Sequence, residues 1–294
     1  MPEQEYALIG HPVAHSMSPF LQARLFAAAG VQASYRLLDV PPGRLAETAP
    51  ALRKLSGFNI TIPYKQEIIP FLDALDEKAA FFGSVNTVRC EGGRMTGYTT
   101  DGDGFLFALQ SAGVSPAGSA LLLGAGGAAR VMAYELVQAG APSLCIAARS
   151  PEKAEPLRRE LAAMAGRRGL ACEITLESFA RLEQTAGARR WDLLVNGTPV
   201  GMHPKTGCSP VSAAVVGRCA AVFDAVYNPD ETMLLRLARE AGKTAVHGMA
   251  MLVGQAAKAQ HIWNGSRFPR EFQRQLCAEA VAEMNRSFGR EEHP

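Results

Sequence analysis

The sequence predicts an α/β fold in two domains, and three observations carry that expectation. Short apolar strands alternate with helical stretches along most of the chain. One of those strands runs straight into a glycine-rich turn that opens a helix. The length, 294 residues, is also close to the size at which a single hydrophobic core stops growing.

The first hundred residues supply several of the alternating elements. Tyr6 to Ile9 is a short apolar strand ended by Gly10 and Pro12. Ser18-Pro19 opens a helix, with Ser18 expected as N-cap and proline in the first turn, and Gly30 stops it. SYRLLDV is a second strand, a polar helix follows Pro42, and Phe58 to Ile62 is a third strand cut by Pro63. Residues 73 to 82 read as a helix. NTVRC and RMTGYTT, joined by Glu91-Gly92-Gly93, read as a hairpin.

From residue 120 the alternation is that of consecutive βαβ units. Ala120 to Leu123 is apolar throughout, as in strands covered on both faces. LCIAA, LACEIT, WDLLVN and AAVFDAV continue the strands, with PEKAEPLRRELAAMA among the helices. This predicts a doubly wound, mostly parallel sheet. The end of the chain is helical, and those helices are expected to pack back on the first domain. The expected division is residues 1–103 with 248–294 for one discontinuous domain and residues 104–247 for the other, with a cleft between the lobes.

Bulk properties exclude several classes. Apolar residues make up 48% and charged residues 20%, an ordinary globular balance. A formal net charge of +2 is too small to point to nucleic acid or an anionic membrane as the main partner. No apolar run is long enough for a membrane helix, and the chain begins with acids rather than the basic segment of a signal peptide. Cys90, Cys145, Cys172, Cys208, Cys219 and Cys277 are widely spaced, without C-x-x-C. That spacing fits reduced thiols in a cytoplasmic protein, and no metal site is expected.

Gly124-Ala125-Gly126-Gly127-Ala128-Ala129 fits the pattern G-x-G-x-x-A of a Rossmann-type dinucleotide site. The first glycine permits the tight turn, the second lets backbone approach a pyrophosphate, and the small third position lets helix and strand pack closely. The next strand ends in Ala148-Arg149-Ser150, with Lys153 close by. An NAD site usually has a carboxylate there for the ribose hydroxyls. Two cations near a helix start are better explained by a phosphate on that ribose, which indicates NADP.

Three other segments concentrate polar groups. His15-Ser16-Met17-Ser18-Pro19 puts two hydroxyls near a helix start, a setting suited to a carboxylate. Gly57 to Lys65 delivers Thr61 and Lys65 after a strand, and Gly97 to Phe105 carries Asp101 in a glycine-rich turn. A lysine with an aspartate makes an acid/base pair, and the set suits a small, anionic, hydroxylated ligand. His11 and His15 are read as positional.

With HSMSP, GFNITIPYK, GSVNTV, GYTTDGDGF, GAGGAAR, VNGTPVGM, DAVYNP and GMAMLVGQA in this order, the chain resembles the shikimate dehydrogenases over nearly its whole length. The resemblance implies reversible NADPH-dependent reduction of 3-dehydroshikimate to shikimate, in the pathway to aromatic amino acids. It implies Lys65 and Asp101 as the catalytic pair. Ser16 and Ser18 would hold the substrate carboxylate, while Thr61, Asn86, Asp101, Tyr227 and Gln255 would contact ring hydroxyls. Gly124, Ala125, Gly126, Gly127 and Ala128, then Ala148, Arg149, Ser150 and Lys153, with Ala225 and Gly248, would line the NADP site. Glu77 is a further cofactor-side candidate. Three positions depart from the family's usual pattern: Gln22-Ala23 after Ser-Pro, Thr99 before Thr100-Asp101, and Ala148 and Ser150 around Arg149. The alternatives are a quinate/shikimate dehydrogenase using NAD or both cofactors, and a catalytically silent shikimate-sensing module. Either a monomer or a homodimer is compatible with the sequence.

Overall fold

The structure is a computed structural model and describes residues 4–185 and 188–288. The chain divides into two compact units, one of Met1–Gly104 with Val253–Pro294 and one of Phe105–Leu252.

The first unit is built on β1 (Gln4–Gly10), α1 (Ser18–Ala29), β2 (Ala33–Asp39), α2 (Leu45–Leu52) and β3 (Gly57–Ile60). A single 3-10 turn, Ile69–Phe71, precedes β4 (Ala74–Leu75), α3 (Glu77–Phe82), β5 (Thr87–Glu91), β6 (Arg94–Tyr98) and the start of α4 (Asp101–Ser111). Its six strands lie in the order β2-β1-β3-β5-β6-β4. The pairs β1–β2, β1–β3 and β4–β6 are parallel, whereas β3–β5 and β5–β6 are antiparallel. The hairpin turn uses Gly92 and Gly93 at φ 58° and 78°, the two positive values that a type I′ turn requires.

The second unit continues with β7 (Ala120–Leu123), α5 (Gly127–Gln138), β8 (Ser143–Ala148), α6 (Pro151–Arg167), β9 (Glu173–Ser178) and α7 (Phe179–Thr185). It is completed by β10 (Trp191–Asn196), α8 (Ala213–Val216), β11 (Cys219–Asp224), α9 (Met233–Glu240), β12 (Thr244–His247) and the start of α10 (Gly248–Asn264). Its strands are parallel in the order β12-β11-β10-β7-β8-β9. That is the doubly wound dinucleotide-binding order, and the strand order reverses between β7 and β10, where such sheets hold their ligands. All four residues of β7 are fully buried, as the continuous apolar run requires.

The rest of α10 and α11 (Arg270–Phe288) belong to the first unit. The Trp263 indole donates to the Val88 carbonyl at 2.9 Å and lies 4.6 Å from the Tyr6 ring. A side chain at Gly57 would meet Trp263 Nε1 at 2.5 Å, so glycine is what lets α10 lie against this sheet. Arg24 of α1 pairs with Glu279 of α11 at 2.8 Å.

Four local expectations are corrected. Met17, not Ser18, is the N-cap of α1 and makes no side-chain cap bond; Ser18 is the first helical residue, and its amide donates to Ser16 Oγ at 3.2 Å. The hydroxyl two residues upstream has taken the capping role. Regular β3 stops at Ile60, and Ile62 is exposed, because the chain turns out of the sheet ahead of Pro63. The stretch 73–82 is not one helix: Ala74–Leu75 pairs with β6, and the helix begins only after Asp76, whose carboxylate accepts from the Ala79 amide at 2.8 Å. Asp101 is in the first turn of α4 rather than in a glycine turn, where a carboxylate complements the helix dipole. The sequence reading also did not anticipate β12 or α9.

Among the described residues no helix is long and apolar enough to cross a membrane, and no cluster of ligating side chains suits a metal. The six cysteines are all free.

Candidate active site

Lys65 lies in the turn that follows β3. The fully buried Tyr64 beside it donates its phenol to the Val40 carbonyl at 2.6 Å, and the Lys65 carbonyl accepts from the Val85 amide at 2.8 Å. With its backbone so held, Lys65 Nζ donates to Asp101 Oδ2 at 2.7 Å. The lysine side chain is 31% exposed and the aspartate 16%, so the pair is sheltered yet reachable.

The other Asp101 oxygen, Oδ1, accepts from Asn86 Nδ2 at 2.7 Å. Asn86 Oδ1 in turn accepts from the Thr100 amide at 2.9 Å. A backbone amide can only donate, so the orientation of the Asn86 side chain is decided: oxygen to Thr100, nitrogen to Asp101. Thr100 Oγ1 also reaches Gln255 Oε1 of α10 at 3.4 Å. The Thr61 amide donates to the Ile9 carbonyl at 2.9 Å, which seats Thr61 just beyond the sheet on the approach to Lys65. Ser16 and Ser18 are half-buried at the start of α1. Thus Ser16, Ser18, Thr61, Lys65, Asn86, Asp101 and Gln255 all fall in the first unit, and four of the groups around Asp101 are joined by hydrogen bonds.

Tyr227 belongs to the second unit, in the segment after β11, and burial pushes its phenol above the ordinary range. That segment is anchored by the fully buried Asp224. Its carboxylate accepts from Asn196 Nδ2 at 2.9 Å, the Val226 amide at 3.0 Å and Thr232 Oγ1 at 2.7 Å. Burial pushes the Asp224 carboxyl upward, and the three donors oppose that shift.

The glycine loop between β7 and α5 has the features of a pyrophosphate cradle. Gly124 has φ 98°, a conformation that side chains disfavour, and a Cβ there would meet Thr198 at 2.9 Å. At Gly126 and Gly127 an added Cβ would meet nothing within 4 Å. Protein packing therefore does not demand glycine at those two positions, and the space in front of the α5 N-terminus is open. The first turn of α5 carries no acid. Ala129 is fully buried, and a Cβ on Gly197 would meet its Cβ at 2.7 Å, the close helix–strand contact that the motif implies. These features fit an anionic dinucleotide.

At the end of β8, Ala148 is buried, Arg149 is exposed and Ser150 caps α6 without a side-chain bond. Among the described residues neither Arg149 nor the exposed Lys153 is in an ion pair, so both remain available to a phosphate. Gly248 opens α10 where a Cβ would meet the Ala225 carbonyl oxygen at 2.4 Å, so Ala225 and Gly248 are in contact. Ala125 and Ala128 complete the loop. Glu77 is exposed at the start of α3, in the first unit.

The sequence reading did not single out Tyr35, Asn59, Thr87 or Gln260, all of which are hydrogen-bonded into the neighbourhood of Asn86. The available signal was Asn59 itself, a polar residue inside the otherwise apolar strand GFNI.

Residues 8–88 match the family described as the shikimate dehydrogenase substrate binding domain. The chain is 40% identical over 284 residues to the shikimate dehydrogenase (NADP(+)) of Symbiobacterium thermophilum, covering 95% of each chain. It is 41% identical over 281 residues to that of Moorella thermoacetica, covering 94% of this chain and 92% of the relative. Among solved structures, shikimate 5-dehydrogenase from Thermus thermophilus in complex with NADP(H) and shikimate superposes with a TM-score of 0.81. It is 33% identical, covering 94% of this chain and 99% of that one.

Proposed function

Because the chain belongs to the shikimate dehydrogenase family, we propose that it catalyses the reversible NADP-dependent reduction of 3-dehydroshikimate to shikimate. The observation that carries the reading is the Lys65–Asp101 contact, completed by Asn86 on the second carboxylate oxygen.

The first unit acts as the substrate-binding and catalytic domain. Ser16 and Ser18 hold the carboxylate at the start of α1, where hydroxyls and backbone amides favour an anion. Thr61, Asn86 and Gln255 hold the ring hydroxyls. In the reducing direction Lys65 delivers a proton to the carbonyl oxygen as charge develops there, and in the oxidising direction it takes the proton back. Asp101 orients the Lys65 ammonium and accepts from a neighbouring substrate hydroxyl.

The second unit acts as the NADP-binding domain. NADP bound there would supply hydride transfer to or from the carbon that carries the reacting oxygen. Gly124 to Ala128 would hold the pyrophosphate. Ala148, Arg149, Ser150 and Lys153 would hold the phosphorylated ribose, and Ala225 and Gly248 would line the remainder of the site. The free cysteines support a reducing, cytoplasmic setting.

The test crosses shikimate and quinate with NADP and NAD and follows nicotinamide reduction by absorbance. The highest kcat/KM is expected for shikimate with NADP. No turnover of shikimate with either cofactor would remove the reading, and equal turnover of quinate would move it to the quinate/shikimate class.

A further inference from the structure

A continuous set of hydrogen-bonded amides, buried from Gln260 inward, runs through the first unit to Asp101. The Ser266 amide donates to Asn264 Oδ1 at 3.0 Å, and Asn264 Nδ2 donates to Gln260 Oε1 at 2.7 Å. Gln260 Nε2 donates to Gln22 Oε1 at 2.7 Å, and Gln22 Nε2 faces Asn59 Oδ1 at 3.4 Å. Asn59 Nδ2 then donates to the Asn86 carbonyl at 3.2 Å and to Thr87 Oγ1 at 3.0 Å. Thr87 Oγ1 donates to Asn86 Oδ1 at 3.1 Å, and Asn86 Nδ2 to Asp101 Oδ1 at 2.7 Å. Gln22, Asn59, Asn86, Thr87 and Gln260 are all buried, so water is not an alternative partner for them.

The direction of donation is dictated at both ends. The Ser266 amide can only donate, which turns the Asn264 oxygen toward it. The Asn86 carbonyl can only accept, which turns the Asn59 nitrogen toward it. Working inward from either end gives the same orientation for Gln22 and Gln260. Reversing any one amide would set two acceptors or two donors face to face in a buried place.

Asn59 is where this chain branches. Its oxygen also accepts from the Tyr35 phenol at 2.8 Å. Burial holds the Tyr35 phenol above its ordinary range, so it stays a donor. One side chain therefore ties Tyr35 of β2 and Gln22 of α1 to the Asn86–Asp101 pair.

We propose that Asn59 is a positioning residue for the reaction, holding Asp101 through Thr87 and Asn86, while Tyr35, Gln22 and Gln260 fix the direction its amide faces. The inference rests on the reading of Asp101 as a substrate contact. Through Thr87 and Asn86, Asn59 sets the carboxylate of Asp101 against Lys65.

The link is cut by a near-isosteric change that leaves every proposed substrate contact in place. Thr87→Val is expected to lower kcat by roughly five- to tenfold with KM within about twofold. Asn59→Ala should show the same change. Kinetics are measured at a temperature where thermal unfolding shows each variant to be folded, and Thr87→Val decides the matter if Asn59→Ala does not fold. A role confined to core stability would lower the melting temperature of both and leave kcat and KM within about twofold, which would overturn the proposal. Loss of turnover in Lys65→Ala alongside such unchanged variants would sink this inference and leave the proposed function standing. A parent that does not turn over shikimate would sink both.

Discussion

Lys65 Nζ and Asp101 Oδ2 are 2.7 Å apart although the residues are separated by 36 positions. They come from a turn beyond β3 and from the first turn of α4, two elements fixed by different backbone contacts. Tyr64 ties the first to Val40, while the second is adjacent to Thr100, whose amide is held by Asn86. The pair is thus set by two rigid supports rather than by its own ion pair, which so close to solvent contributes little by itself.

Removing the lysine tests its role directly. Lys65→Ala should reduce kcat by about 10²- to 10⁴-fold, the usual effect of a positioned acid/base group, with the shikimate KM changed only a few fold. Steady-state kinetics on a variant shown to be folded by circular dichroism decides it, and a kcat near the parent's would exclude Lys65 as the proton donor.

Cofactor preference is expected to follow Arg149. Its guanidinium is exposed at the end of β8, where a phosphate on the adenosine ribose would lie, and can bind two phosphate oxygens at once. Each charged hydrogen bond is worth about 1.5–3 kcal/mol, so Arg149→Ala should lower kcat/KM for NADP roughly ten- to a hundredfold. NAD should be affected little. The measured quantity is the NADP to NAD ratio of kcat/KM in parent and variant, and an unchanged ratio contradicts the assignment.

Two glycines in the second unit should respond in opposite ways to alanine. At Gly248 the new methyl would meet backbone atoms, the Ala225 oxygen at 2.4 Å and the Val226 oxygen at 2.8 Å, which cannot swing aside. Gly248→Ala should lose about 1–3 kcal/mol of stability, as overpacking commonly does. At Gly126 the methyl would meet no protein atom and φ is −77°, so Gly126→Ala should unfold at the same urea concentration as the parent. Its NADP KM should nevertheless rise, because the methyl occupies the space read as the pyrophosphate's. Urea midpoints and KM values for both variants separate packing from binding.

Acid should act on the first unit through Asp73. Its carboxylate is held below the ordinary aspartate range, chiefly by the hydrogen bond from Arg53 and then by that from the Met95 amide. A lowered pKa means that the native state favours the ionised form. The contribution to stability is complete above the unfolded value, about 3.9, and is lost as pH falls through the lower folded value. Asp73→Asn should therefore be less stable than the parent at neutral pH, and the difference should shrink below about pH 4. Urea titrations across that range check it; a gap that does not depend on pH would mean the carboxylate charge is irrelevant.

The sequence by itself determined the parts whose signals are local. The apolar run Ala120 to Leu123 followed by GAGGAA is enough for a buried parallel strand, a tight turn and a helix, because each of those residues acts within a few positions of its neighbours. The same holds for the glycine pair of the β5–β6 hairpin and for the polar segments that contain Lys65 and Asp101. What only the tertiary structure decided was where long-range partners fall. Ser18 looked like a cap, but a cap is defined by backbone geometry, and Met17 holds that position. Asp76, rather than residue 73, starts α3 because β6 captures Ala74 and Leu75 as a strand, a pairing with residues 22 positions away. Asn59 gave little sign of its connections, because its partners Tyr35, Gln22 and Asn86 lie on three other segments. A buried amide is readable from sequence only as an exception to apolar patterning. Which groups satisfy it, and in which direction, is decided when the sheet and α10 close around it and leave no water to bond instead.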